Sequence, residues 1–242
     1  MKIVFSRKGF DSTAGRAPSP IERGRAISLP IPAADRSATR YRDIGHGKRV
    51  EAATRGRIRR GALCHDDPMF ADGRCWFGQC GAAQGHLEKQ GVRAGDVFVF
   101  FGLFADPESG ERHHRIFGWM KAACTGTPGT VEQSPEWNAP PRPHPHLSGE
   151  WPNPNTIWHG PGNADAPAHD ALRLTVPGGP LNLWRVPSWL RECGLSYHAK
   201  PQRWVGDGLL DSAKRGQEFV CDTGEREDAR NWLARVIDLI EG

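Results

Sequence analysis

Two apolar runs constrain this chain more than anything else in it. Val97 to Phe104 (VFVFFGLF) follows a Gly95-Asp96 turn, and Ile116 to Lys121 (IFGWMK) follows a charged loop over 106–115. β-Branched and aromatic residues dominate both, and one Gly-containing polar loop joins them, a pattern that predicts a β-hairpin. Their near-continuous apolarity predicts strands covered on both faces, so the hairpin belongs at the centre of a sheet. Lys2 to Phe5 (KIVF) predicts a short buried strand opening the fold. Ile27 to Ile31 predicts an edge strand, because Pro30 cannot donate to a central ladder. Ala171 to Thr175, Leu181 to Trp184 and Phe219 to Cys221 complete the expected strands.

A short helix is expected from Pro187 to Leu190, with proline in the first turn. The strongest helical signal runs from Glu225 to Ile240. It puts Ala229, Trp232, Leu233, Val236, Ile237 and Ile240 on one face, with Thr223 as cap and Glu225 and Glu227 at the positive end of the dipole. The 29 Gly and 20 Pro of 242 residues require extensive loops. Residues 6–36 read as one long connection. Residues 125–170 read as an ordered irregular excursion, because Trp137, Trp151, Ile157 and Trp158 need a packing partner. The expected fold is α+β or α/β, one domain over 1–242: a central, mostly antiparallel sheet, long irregular loops and a C-terminal helix packed on the sheet.

Charge is distributed unevenly. Residues 1–62 carry 15 Lys/Arg against 5 Asp/Glu, a local +10, and the remainder carries 17 against 23, or −6. Such a split predicts an anionic partner, a nucleotide or DNA, for the N-terminal part; a solvated arginine-rich loop from Tyr41 to Gly61 is the plainer alternative. No stretch approaches the roughly 20 apolar residues of a membrane helix. Charge returns at Arg7 too soon for a signal peptide, so a cytoplasmic protein without membrane partners is expected. Six cysteines form no dense framework and read as free thiols. Cys64, His65, Cys75, Cys80 and His86 cluster in sequence, which makes zinc conceivable, but their spacing matches no paired-cysteine ribbon. No metal and no cofactor is assigned.

Four constellations could carry chemistry. Ser6, Arg7 and Lys8 end the first strand, where α/β folds gather ligands, and a guanidinium fork beside an ammonium suits phosphate; no GxxxxGK[ST] loop is present. In His65-Asp66-Asp67-Pro68, adjacent carboxylates beside an imidazole can hold a divalent metal or act as a base with its orienter, and alternation lets only His65 and Asp67 share a face. An Asx-type turn before Pro68 is the alternative. A further alternative for the acids is pairing with the arginines at 55–60. Glu218 enters an apolar strand, where an unpaired carboxylate is costly, so it is either satisfied or functional. His198 is a possible acid or base, with Tyr197, Arg203 and Trp204 beside it to contact a base or phosphate. The catalytic candidates are thus Glu218, His198, His65 and Asp66. The binding candidates are Arg7, Lys8, Ser6, Arg203 and Tyr197. In Arg142-Pro143-His144-Pro145-His146 the prolines extend the chain and put both imidazoles on one side, which allows metal capture, though the composition reads as an exposed loop.

Several of these stretches together resemble the bacterial and phage family called nucleotide modification associated domain 3. They are KIVFSRKGFDS with PSPI, SLPIP, the HDDP at 65–68, GDVFVFFGLF with IFGW, LSYH at 195–198 and RGQEFV at 215–220, in that order. The resemblance implies a link to hypermodified DNA bases or their nucleotide precursors, with other components of a DNA-modification system as further partners; it supplies no reaction. QEFVCD also resembles, loosely, the catalytic-glutamate strand of ADP-ribosyltransferases. The hairpin resembles PUA and ASCH barrels, which bind modified bases or RNA without catalysis. The favoured expectation is therefore a transferase-like enzyme of base modification, and the alternative is a non-catalytic reader of modified nucleic acid.

Overall fold

The computed structural model describes residues 1–214 and 216–242. Arg215, the first residue of the RGQEFV stretch, lies outside them. Among the described residues the strands are β1 (Lys2–Arg7), β2 (Ser19–Glu22), β3 (Arg25–Ala26), β4 (Met69–Ala71), β5 (Arg74–Cys80), β6 (Val97–Ala105), β7 (Arg112–Lys121), β8 (Cys124–Gly126), β9 (Asn155–Asn163), β10 (Leu183–Arg185), β11 (Leu209–Asp211) and β12 (Glu218–Asp222). The helices are α1 (Gly47–Ala53), α2 (Gly81–Lys89), α3 (Trp189–Cys193) and α4 (Glu227–Glu241). One mixed sheet runs in the order β12-β1-β6-β7-β9-β5-β4, with β2, β3 and β8 on its margins and β10–β11 as a separate pair. Among the described strand pairs only β1–β6 and β2–β6 are parallel. The fold is α+β, mostly antiparallel, with few helices and one long C-terminal helix.

β6 and β7 form the expected hairpin at the sheet centre, with a register shift at Phe100/Phe101. Both faces of β6 are covered. Phe98 and Phe100 meet Phe77 of β5 edge-on, while Phe101 meets Trp184 and Phe219. That double coverage is why the sequence of β6 does not alternate. The sheet curls strongly: β5 and β12 stand far apart in its order, yet the Gln79 side chain of one reaches Glu218 of the other at 2.7 Å. The curl brings the ends of β1, β5 and β12 to a common place.

α4 buries Ala229, Leu233, Val236 and Ile240, and Trp232 packs on Phe5 of β1. Thr223 does not cap it. Its hydroxyl donates to the Met1 carbonyl, and the helix starts at Glu227.

Three local expectations fail for physical reasons. Ile27–Ile31 forms no strand, because its backbone is spent on irregular bonds: Leu29 N–H donates to Ser19 Oγ, and the Leu29 carbonyl accepts from Phe10 N–H. Ala171–Thr175 forms a short 3-10 turn and isolated bridges. The excursion over 125–170 hides β9, which pairs with β5 over seven residues from Arg74↔Pro161 to Cys80↔Asn155. Glycine and proline disguise this strand, yet Gly160 is required there: a Cβ would collide with the Lys121 carbonyl of β7. No helix among the described residues is long and apolar enough to cross a membrane.

Candidate active site

The curl leaves a cavity of about 740 Å³ where β1, β5 and the 65–68 loop converge; Arg7, Lys8, Arg36, His65, Asp67 and His146 are among its lining. That volume suits a nucleotide-sized ligand.

Asp67 is the best-anchored group. Its Oδ1 accepts from the Gly78 N–H of β5 at 2.7 Å and lies 3.2 Å from His144 Nε2, and its Oδ2 lies 3.6 Å from His65 Nε2. Burial alone would raise this carboxyl, but His144 and His65 outweigh it and hold it well below the usual carboxylate range. His144 Nδ1 accepts from the His146 N–H at 3.3 Å, which leaves the His144 proton on Nε2, facing Asp67. His146 Nδ1 meets Asn155 Oδ1 at 2.8 Å, and Asn155 Nδ2 returns to the His146 carbonyl at 3.0 Å. With the Asn155 oxygen as acceptor, His146 carries its proton on Nδ1 and a lone pair on Nε2. Burial lowers the His146 pKa to about 4, so the ring is neutral near pH 7. Trp151 stacks on it at 4.2 Å, and a Cβ at Gly78 would fall within the His146 ring. One donor atom each from His65, Asp67 and His146 lies within 4.8 Å of the others, a set able to hold a metal ion.

The opposite wall is basic but partly committed. Lys8 Nζ lies 2.9 Å from Glu218 Oε1 and 4.3 Å from the centre of the Phe77 ring. Arg7 donates to the carbonyls of Ala213 and Lys214 at 3.0 Å each. Burial lowers the Arg7 pKa, against an opposing pull from Asp11. Arg36 is exposed and lies over Trp151 at 5.2 Å.

The sequence candidates separate into groups. His65, Arg7 and Lys8 line the cavity together. Asp66 points the other way, as alternation requires, and is gripped by Arg142 Nε and Nη2 at 3.0 and 2.8 Å. The partner is Arg142, not the arginines at 55–60, of which Arg60 is spent on Glu51. Burial raises the Asp66 carboxyl despite Arg142. Glu218 is 1% exposed, and its Oε1 accepts from Ser6, Lys8 and Gln79. It stands behind the basic wall. Tyr197 is 51% exposed and packs on His86 beside an adjoining cavity of about 360 Å³ that Glu218 also lines. His198 has both nitrogens engaged, Nδ1 at 2.7 Å from the Ser196 carbonyl and Nε2 accepting from Ala213 N–H at 2.9 Å. Arg203 donates to the Asp211 carbonyl. Neither reaches the main cavity.

The 64–86 cysteine–histidine cluster largely disperses, with His65 and Cys80 alone lining the main cavity. Cys64 joins the Phe10–Tyr41 cluster, Cys75 the main core, and His86 faces Ser196 at 3.0 Å. His144 and His146, expected on an exposed loop, are buried. Sequence reasoning put His65 and Asp67 on one face and allowed metal capture by His144 and His146, but it did not join the two segments and passed over Asn155 entirely. The H-x-D spacing at 65–67 and the H-x-H at 144–146 were the available signals, but nothing local joins positions 79 residues apart.

A sequence model described as nucleotide modification associated domain 3 matches residues 2–222. The chain belongs to the nucleotide modification associated domain 3 family. No curated protein and no solved structure matches it. The matched span of this nucleotide modification associated domain includes every wall of the cavity and excludes α4.

Proposed function

We propose that this domain is an enzyme that modifies a nucleotide, transferase-like in attaching a group to the base or its precursor. The nucleotide's phosphate would lie against Arg7, Lys8, Arg36 and Lys214, and the reacting end would lie against His65, Asp67 and His146. One observation carries the reading: the cationic end of the first strand and the buried His/Asp cluster line the same cavity. An enzyme needs titratable groups converging in one cleft beside a substrate anchor, and both are present here. Asp67 stays ionised, His146 stays neutral, and the tautomers of His144 and His146 are fixed, so the polar groups are arranged before any ligand arrives. Glu218 serves the site through Lys8, whose ammonium it holds, and Ser6 donates to the same carboxylate oxygen.

The alternative, a non-catalytic reader of modified nucleic acid, draws support from the exposed Tyr197 ring and the Arg36–Trp151 stack, both suited to base stacking. Calorimetric titration with deoxynucleotides separates the two. The enzyme reading expects saturable nucleotide binding that weakens at least about tenfold in Arg36→Ala, through loss of a charge-assisted contact. It also expects a modified nucleoside in mass spectra of cells that carry the gene, lost in His65→Ala. Binding to modified oligonucleotides with no such nucleoside, in wild-type cells or out, would leave the reader.

A further inference from the structure

We infer that His65, Asp67 and His146 bind a divalent first-row transition metal, with Asn155 and His144 as its positioning residues. The inference deepens the reading of this cavity as a reaction centre and rests on it only for the role of the metal.

Three features argue for a built metal site over a hydrogen-bond cluster. The first is the direction of the lone pairs. Asn155 fixes the His146 tautomer, so Nε2 is unprotonated and offers its lone pair, as a metal ligand must. A histidine whose second nitrogen is held by a side-chain oxygen is the usual arrangement around a protein-bound metal. The second is Asp67, a buried carboxylate anchored through one oxygen. The Gly78 amide and His144 hold its Oδ1, and Oδ2 remains on the side of His65. The third is packing: His146 lies between Trp151 and the bare backbone of Gly78, which fixes the ring plane.

The donor set then selects the metal. Two imidazoles and one carboxylate suit iron(II), cobalt, nickel or zinc, whereas magnesium and calcium favour all-oxygen sites. Donors within 4.8 Å of one another need only a small inward rotation to meet an ion at about 2.0–2.2 Å. Three protein ligands leave coordination positions open to the cavity, the pattern of catalytic sites rather than of closed structural ones.

The test uses the full chain with any affinity tag removed, stripped with chelator and titrated with cobalt(II) and zinc(II) in the absence of nucleotide. The expected result is about one equivalent bound, a cobalt ligand-field spectrum, and a rise in Tm with added metal. His65→Ala and Asp67→Asn are expected to abolish saturable binding. Asn155→Leu is expected to weaken it about 10–100-fold, and Asn155→Asp, which keeps an acceptor at His146 Nδ1, to restore it. His65 lies at the cavity wall, so its variant stays interpretable if the buried Asp67 variant fails to fold. Three results would overturn the inference: no saturable binding by folded wild type, binding unchanged in His65→Ala, or magnesium bound as tightly as zinc at these residues. Nucleotide binding measured separately in chelator reports on the enzyme reading alone, so the two fail independently.

Discussion

Gly78 shows how one residue connects a strand to the site. Its amide holds Asp67 and its missing side chain makes room for His146. Gly78→Ala is expected to destabilise by about 1–3 kcal/mol, as overpacking does, and to displace His146. Urea denaturation checks the first effect and the cobalt spectrum the second; a variant unchanged in both would show that the His146 ring does not rest on this backbone. Glu218 makes a different point. Its side chain and that of Lys8 are 1% and 10% exposed, so removing one strands the other. Glu218→Ala is expected to cost about 3–5 kcal/mol, and Glu218→Ala with Lys8→Met distinctly less, because the second change removes the stranded charge. Equal losses in the single and double variants would rule out the pairing as the source.

At the scale of elements, α4 covers the β1 side of the sheet. Leu233→Ala is expected to cost about 2–5 kcal/mol, as a cavity in a packed face does. Arg235→Ala, on the exposed face, is expected to stay within about 0.5 kcal/mol. The contrast in denaturation midpoints measures the amphipathic pattern directly, and similar losses at both positions would mean the helix is not packed as described. The central hairpin and α4 were legible because each carries its own periodicity or apolar run. β9 was not: its strand character comes from lying between β5 and β7, and its composition, NTIWHGPGN, imitates a loop.

For the whole molecule, acid is the condition that matters. Burial lowers the pKa of His46 to about 4 and that of His114 to about 3, with Arg49 and Arg7 respectively adding to the effect. Trp184 Nε1 donates to His114 Nδ1, which fits the neutral ring. The unfolded chain takes up protons at these residues near pH 6.5 and the folded chain does not. Their contribution is therefore complete above about pH 6.5 and is lost as pH falls towards 4 and then 3. Tm is expected to decline steadily between pH 7 and pH 4.5, and a flat profile would contradict the neutral buried histidines. The charge asymmetry is in part satisfied internally. Arg49 pairs with Glu22 and Arg60 with Glu51, so the +10 of residues 1–62 overstates the cation available to a ligand.

Sequence alone determined the sheet centre, the opening strand, the C-terminal helix and the family, because each is written in contiguous residues whose burial or spacing is local. It also determined that His65 and Asp67 face one way and Asp66 the other, since alternation needs only the backbone. Tertiary structure decided the site. His146, held by Asn155, comes near Asp67 only because β9 pairs with β5 and draws the 144–146 turn over Gly78. Glu218 meets Lys8 and Gln79 only because the sheet curls until its distant strands touch. Contacts of that kind arise from strand order and curvature, which are properties of the whole packed chain and of no segment within it.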